Sequence, residues 1–142
     1  MKALKTIITA FCIVLSFTAF SKDDGAKDQK LSMSYAVQTY IDAMTLGKIK
    51  DFGEVLDNDV KFTMTQGQKI VNFNRAQMLS ALKGSENMEQ NCKTSYSVVE
   101  QNDAQSIVKV TMTYDVFTRT NYVTISHTDK GWKITNVSSV FN

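Results

Sequence analysis

The chain has 142 residues, with 16 Lys and Arg against 14 Asp and Glu, one His, two Cys and no Pro. Hydrophobic residues make up 43% and charged residues 21%, which is typical of one globular domain and excludes a disordered charged tail. Two cysteines cannot form a disulfide scaffold, and six glycines without proline exclude fibrous and proline-rich classes.

Residues 1–21 have the pattern of a secretory signal peptide. Lys2 and Lys5 form a basic start, an apolar run covers residues 7–20, and Ala19 and Ser21 supply the small residues that precede a cut after Ser21. The run is shorter than the roughly 20 apolar residues of a membrane-spanning helix, so we expect cleavage rather than anchoring. The sequence therefore predicts a secreted or periplasmic protein with no membrane attachment after cleavage.

Cleavage changes the charge and the cysteine count. Loss of Lys2 and Lys5 lowers the 16 basic residues to 14, which equals the 14 acidic ones and gives a net charge of zero. Because nucleic-acid binders concentrate Lys and Arg, a nucleic-acid partner is not expected. Cys12 also leaves, so Cys92 remains alone. No second Cys or nearby His supports a reactive thiol. We therefore expect Cys92 to be a small, half-buried strand residue.

Residues 22–30 mix charges of both signs and predict a flexible leader before a domain over residues 31–142. From Leu31 the apolar residues follow the spacing of one helix face, which comprises Val37, Tyr40, Ile41 and Met44. Gly47 is placed to end this helix in a left-handed conformation.

A second, short helix is predicted to begin at Asp51. The Asp51 carboxylate would cap the amides of the first turn, and the Glu54 side chain would accept from the Asp51 amide. Residues 59–66 alternate apolar and polar side chains, the pattern of a half-buried strand. Gly67 then provides the turn to a return strand over 69–73.

Asn74 and Gln77 have the spacing of a capping box, which predicts a third helix that Gly84 closes. The rest of the chain is predicted to form four strands of a meander, the first two over residues 92–100 and 105–116.

The register of the last three strands follows from the positions of their loops. A loop at 117–120 would pair Tyr114 with Val123, and the next four-residue loop would place His127 opposite Trp132. Both pairings put apolar residues on the same face, as a correct register requires. Tyr96 and Val98 of the preceding strand are expected to join that face.

Four sequence features carry a family resemblance: the helix over 36–43 closing at Leu46-Gly47-Lys48, the strand entry at 56–62, the helix from Asn74, and Gly131-Trp132-Lys133-Ile134. Their order resembles the nuclear transport factor 2-like superfamily, and within it small secreted bacterial proteins called SnoaL-like or lumazine-binding-like. The resemblance implies an α+β, cone-like (cystatin-like) fold over residues 31–142. In this fold, three N-terminal helices pack on a curved, mainly antiparallel sheet and leave an interior pocket.

Isomerase-like members of the superfamily carry a catalytic base on the first strand, but residues 62–65 here contain no carboxylate or His. Two other residues are candidates for a general base, His127 and Asp59. Each also has a structural interpretation, because His127 would pack against Trp132 and Asp59 would cap the turn at a strand entry. One His, one mature Cys and scattered acids predict no metal site.

The predicted inner face is rich in aromatic and Met side chains, and these would line a ligand pocket or fill a solid core: Tyr40, Met44, Phe62, Met64, Tyr96, Met112, Tyr114, His127 and Trp132. We hypothesise a domain that binds a small, partly apolar molecule without transforming it and without a cofactor. One alternative is an isomerase-like or cyclase-like enzyme that uses His127 or Asp59. The other is a dimerisation module, and a homodimer would form through outer-face residues Thr111, Thr113, Tyr122, Thr124 and Ser126.

Overall fold

The computed structural model describes residues 31–142, so the predicted signal peptide (1–21) and leader (22–30) lie outside the described residues. The order is α1 (Met33–Leu46), α2 (Phe52–Val55), β1 (Leu56–Gln66), β2 (Lys69–Phe73), α3 (Arg75–Lys83), β3 (Lys93–Gln101), β4 (Gln105–Thr113), β5 (Thr118–Thr128) and β6 (Gly131–Phe141). This is the predicted order of elements. Among the described residues, α1 and α2 precede the first strand and α3 lies between β2 and β3, so the predicted set of three N-terminal helices is not confirmed.

Helix α1 has defined ends. The Ser32 hydroxyl accepts a hydrogen bond from the Tyr35 amide at 3.2 Å, which caps the first turn. Gly47 has a φ of 67° and closes the helix in the left-handed conformation, as predicted. The predicted apolar face is buried against the sheet: Val37, Tyr40, Ile41 and Met44.

The two predicted capping boxes have different outcomes. In α3, the Asn74 side chain accepts from the Gln77 amide and the Gln77 side chain accepts from the Asn74 amide, both at 2.9 Å. At α2, the predicted cap is wrong, because the Asp51 side chain makes no capping hydrogen bond. Asp51 has helical rather than extended dihedrals (φ −96°, ψ −4°), which do not direct its carboxylate at the following amides.

The six strands form one sheet in the order β2-β1-β6-β5-β4-β3. All neighbouring pairs are antiparallel except β1 and β6, which are parallel. Strand β6, the last of the six strands in sequence order, therefore lies inside the sheet and joins the β2-β1 hairpin to the β5-β4-β3 meander.

The predicted register of β4 and β5 is wrong. Val123 pairs with Val108 rather than Tyr114, and Met112 pairs with Arg119. The turn occupies residues 114–117, where the Tyr114 amide donates to the Phe117 carbonyl at 2.9 Å, and β5 already begins at Thr118. Because the partner of Val123 moves by six residues, an even number, the predicted inner residues keep their face.

The register of β5 and β6 is confirmed, since His127 pairs with Trp132. A bulge between Thr124 and Ile125 adjusts the pairing further along. On β3, Tyr96 and Val98 pair with the buried Val110 and Val108 and so share the inner face, as predicted.

Edge strand β3 is nevertheless poorly covered: Tyr96 is 43% exposed and Val98 is 40% exposed. The core lies between α1, α2 and the centre of the sheet, and its largest fully buried side chains are Tyr40, Phe52, Phe62, Met112, Ile125 and Ile134. Within residues 31–142, no helix is long and apolar enough to cross a membrane.

Candidate functional site

The structure distributes the nine predicted ligand-binding residues over three environments. Four are buried in the core: Tyr40, Met44, Phe62 and Met112. Three are half-buried and pack against it: Met64, Tyr114 and Trp132. The remaining two, Tyr96 and His127, are exposed.

His127 lies at the end of β5, where its ring stacks on Trp132 with centroids 5.0 Å apart. Its side chain is exposed, and its backbone amide donates to the Ala104 carbonyl at 2.8 Å. The amide of Trp132 in turn donates to Leu31, at the start of the described chain. The imidazole therefore belongs to a surface aromatic pair.

Asp59 lies on β1 between buried Val60 and exposed Asn58, and its own side chain is exposed. Since side chains alternate along a strand, Asp59 projects to the face opposite Val60. The capping role predicted for Asp59 is performed by Asp57, whose carboxylate accepts from the Asp59 amide at 3.0 Å.

A polar network on the inner face links Arg119, Asn121 and Ser139. Arg119 Nε donates to Asn121 Oδ1 at 2.9 Å, and Arg119 Nη2 lies 3.4 Å from Ser139 Oγ. Ser139 Oγ donates to Asn121 Oδ1 at 2.6 Å, and Asn121 Nδ2 donates to the Val110 carbonyl at 3.1 Å. Asn121 is fully buried and holds the guanidinium in place.

The Tyr40 hydroxyl lies at the buried side of this network. Burial raises the pKa of Tyr40 above its usual value of 10.0, and the neighbouring Arg119 and Ser139 side chains oppose the increase without cancelling it. The Ser139 hydroxyl is directed at Asn121, and Tyr40 Oη completes no hydrogen bond with the described residues. Tyr40 thus presents a neutral, unpaired hydroxyl beside a permanent cation.

Aromatic rings form the half-buried side of the network. Tyr114 stacks on Phe117 with centroids 4.3 Å apart, and Phe117 lies 6.1 Å from Phe141. The Arg119 guanidinium lies over the Phe141 ring, 5.3 Å from its centroid. Partial burial raises the pKa of Tyr114, the neighbouring Cys92 thiol adds to the increase, and Arg119 opposes it.

We call seven side chains the inner cluster: Tyr40, Tyr114, Phe117, Arg119, Asn121, Ser139 and Phe141. The cluster lies at the opposite end of β5 from His127. Arg119 and His127 are eight residues apart, which corresponds to roughly 26 Å along an extended strand. His127 therefore cannot exchange a proton with a small molecule held at the inner cluster.

Sequence reasoning does not place Arg119 on the inner face, because the predicted loop covers residues 117–120. The alternation of Arg119, Asn121, Val123 and Ile125 was the available signal, since it places all four side chains on one face of a strand.

The inner cluster supplies hydrogen-bond donors and flat apolar surfaces. The Tyr40 and Tyr114 hydroxyls are protonated at neutral pH, because burial raises pKa values that already lie near 10, and a guanidinium is always charged. The described residues contain no group of three His, Cys, Asp or Glu side chains that could hold a metal ion. This chemistry is suited to recognising acceptor atoms on a small molecule.

Comparison with known proteins places the chain in a family. A family model with the description "Putative lumazine-binding" matches residues 28–141. The chain belongs to this family. A comparison with curated proteins found no match.

Solved structures share the fold at low sequence identity. An NTF2-like protein of unknown function from Silicibacter pomeroyi DSS-3 is 13% identical with a TM-score of 0.67, covering 84% of this chain and 100% of that one. An NTF2-like protein of unknown function from Shewanella baltica OS155 is 5% identical with a TM-score of 0.67, covering 84% and 98%. A protein of unknown function with a cystatin-like fold from Nostoc punctiforme PCC 73102 is 6% identical with a TM-score of 0.57, covering 80% and 90%. The predicted α+β nuclear transport factor 2-like fold is confirmed.

Proposed function

We propose that the protein is a secreted or periplasmic domain that binds a small, partly apolar molecule at the inner cluster and releases it unchanged. The observation that carries the proposal is the combination of half-buried rings at Tyr114, Phe117 and Phe141 with an unpaired buried hydroxyl at Tyr40. Membership of a family described as lumazine-binding supports a small-molecule ligand.

The composition of the cluster favours binding over catalysis. Proton transfer needs a base whose pKa lies near the working pH. Burial moves the pKa values of Tyr40 and Tyr114 upward, away from neutrality. The two candidate bases, His127 and Asp59, both have exposed side chains away from the cluster.

Native mass spectrometry of protein purified from the exported fraction of its own cells tests the proposal. We expect a bound small molecule that dissociates on collisional activation and is recovered with the mass of a known cell metabolite. Tyr114→Ala should reduce the bound fraction because it removes both the stacked ring and the hydroxyl. Tyr122→Ala is the matched control, since this tyrosine lies on the outer face, and it should retain the molecule.

Two results would contradict the proposal. If both the wild type and the Tyr122 variant carried no bound molecule, the proposal that the protein binds a small ligand would be contradicted. Recovery of a chemically altered compound after incubation with the protein would favour an enzyme.

A further inference from the structure

We infer that the ligand of the inner cluster carries a single negative charge, and that its anionic group, an organic carboxylate, is bound by Arg119 while its apolar part contacts Phe117 and Phe141. This inference rests on the proposed function and narrows it to a class of compound.

The first observation is a cation without a partner of opposite charge. Arg119 is half-buried, yet it forms no ion pair in the described part of the chain. Asp115 is four residues away but is exposed in the turn. Partial burial of an unpaired cation costs free energy, because the cation loses hydration and gains no counter-charge.

The second observation is that the guanidinium has unused donors. A guanidinium has five N–H donors, and the protein engages one at Nε and one at Nη2. Both N–H groups of Nη1 have no acceptor among the described residues. The bonds to Asn121 and Ser139 fix the orientation of the fork, so an incoming anion meets a pre-organised site.

The third observation concerns which anion fits. A planar fork binds carboxylate or phosphate through two parallel hydrogen bonds. The inner cluster has one cation, so a monoanionic carboxylate is neutralised, whereas a phosphate monoester dianion keeps uncompensated charge in a half-buried site. The rings of Phe117 and Phe141 beside the guanidinium favour an attached aromatic or aliphatic group.

The experiment compares three small probes by following amide chemical shifts of the full exported chain in NMR titrations. Phenylacetate has the charge and the ring, phenylacetamide has the same shape without charge, and phenyl phosphate is the dianion. We expect phenylacetate to bind about tenfold more tightly than phenylacetamide, because hydrogen bonds to a charged acceptor are stronger. Phenyl phosphate should bind more weakly than phenylacetate.

Three variants test whether Arg119 causes the preference for phenylacetate over phenylacetamide. Arg119→Gln should abolish the preference for phenylacetate, so that the affinities for phenylacetate and phenylacetamide differ by no more than about twofold. Arg119→Lys, which retains the positive charge but not the planar fork, should keep part of it. Arg75→Gln changes the only other arginine of the chain and should leave all three affinities unaltered.

The outcomes separate this inference from the proposed function. Equal binding of phenylacetate and phenylacetamide by the wild type, with shifts at Tyr114 and Phe141, would overturn the carboxylate inference and leave small-molecule binding in place. An unchanged preference in the Arg119 variants would also overturn it. Tighter binding of phenyl phosphate would replace the carboxylate with a dianion, and absence of shifts with every probe would contradict both proposals.

Discussion

Gly47 meets two structural requirements that only a glycine can satisfy together at this position. Its φ of 67° is a left-handed conformation, which L side chains rarely adopt. A Cβ atom at this position would also lie 2.5 Å from the Asn87 nitrogen and the Ser85 oxygen, both backbone atoms. The end of α1 is therefore in direct contact with the connection that leads to β3.

We expect Gly47→Ala to lower the free energy of unfolding by at least about 3 kcal/mol, because it adds a backbone clash to the conformational cost. Gly67→Ala is the matched control, since Gly67 has a φ of 59° and a Cβ added there would meet no atom within 4 Å. That variant should lose only about 1–2 kcal/mol. Urea denaturation measures both, and equal losses would show that the contact with residues 85 and 87 is unimportant.

The Tyr40 hydroxyl is expected to make the free energy of unfolding fall at alkaline pH. Burial raises the pKa of Tyr40 in the folded state above its usual value, so the folded chain holds this proton more strongly than the unfolded chain. The resulting stabilisation is complete below about pH 10 and is lost as the pH rises through the folded-state pKa.

We expect Tyr40→Phe to lose less stability than the wild type when urea denaturation is repeated from neutral pH to about pH 11. At neutral pH the substitution should change the free energy of unfolding by less than about 1 kcal/mol, since the hydroxyl completes no hydrogen bond. Tyr114, whose pKa is also raised, is still present in the variant. The free energy of unfolding of the variant should therefore still fall at alkaline pH, but by less than that of the wild type. Parallel declines in the two proteins would contradict this prediction.

At the scale of elements, the two helices with capping sequences provide a matched pair. The Asn74 side chain caps α3, whereas the Asp51 side chain makes no capping bond to α2. We expect Asn74→Ala to cost about 1 kcal/mol and Asp51→Ala less than about 0.5 kcal/mol. Thermal unfolding monitored by circular dichroism distinguishes them, and equal losses would contradict the predicted difference between the capped and the uncapped helix.

The sequence could not distinguish these two caps, because Asp51 and Glu54 have the same spacing as Asn74 and Gln77. Helix α2 is a single turn whose carbonyls are bound by distant residues. Arg75 Nη2 donates to the Gly53 carbonyl at 2.8 Å, and Lys133 Nζ donates to the Glu54 carbonyl at 2.6 Å. Such tertiary contacts have no local sequence pattern.

The turn between β4 and β5 was misplaced for a similar reason. Residues 114–117 contain one common turn former, Asp115, and no Gly, Pro or Asn. The turn is accompanied by the stack of Tyr114 on Phe117, a contact that periodicity does not reveal. The error removed Arg119 from the predicted face, and with it the central residue of the candidate site.

For the whole molecule, side-chain periodicity was sufficient to predict the order of the elements and the residues of the inner face, because the alternation of side chains is a local property. The pairing of Phe62 on β1 with Val137 on β6 joins residues 75 positions apart, and no local pattern specifies it. The family resemblance supplied the architecture. The composition of the candidate site could not be predicted, because it combines residues from α1, the β4–β5 turn, β5 and β6.

We expect two copies of the chain to associate through the outer face of β4, β5 and β6. Tyr122, 40% exposed, lies there between Lys109 and Ser138. Tyr122→Lys should produce monomers, because a two-fold interface would bring the added charges and Lys109 of both copies together. Tyr96→Lys, at a 43% exposed tyrosine of the inner face, should leave the dimer intact.

Native mass spectrometry or sedimentation at micromolar concentration measures this oligomeric state. A monomeric wild type, or equal dissociation by the Tyr96 substitution, would contradict association through the outer face.

The interior position of β6 has a consequence for folding of the chain. Until residues 131–141 take their place in the sheet, the β2-β1 hairpin and the β5-β4-β3 meander have no strand to connect them. The partly folded chain then presents two unpaired edges, on β1 and β5, which are binding sites for chaperones and for other unfolded chains. A chain cut short before Gly131 should therefore leave two separate pieces of sheet with exposed edges.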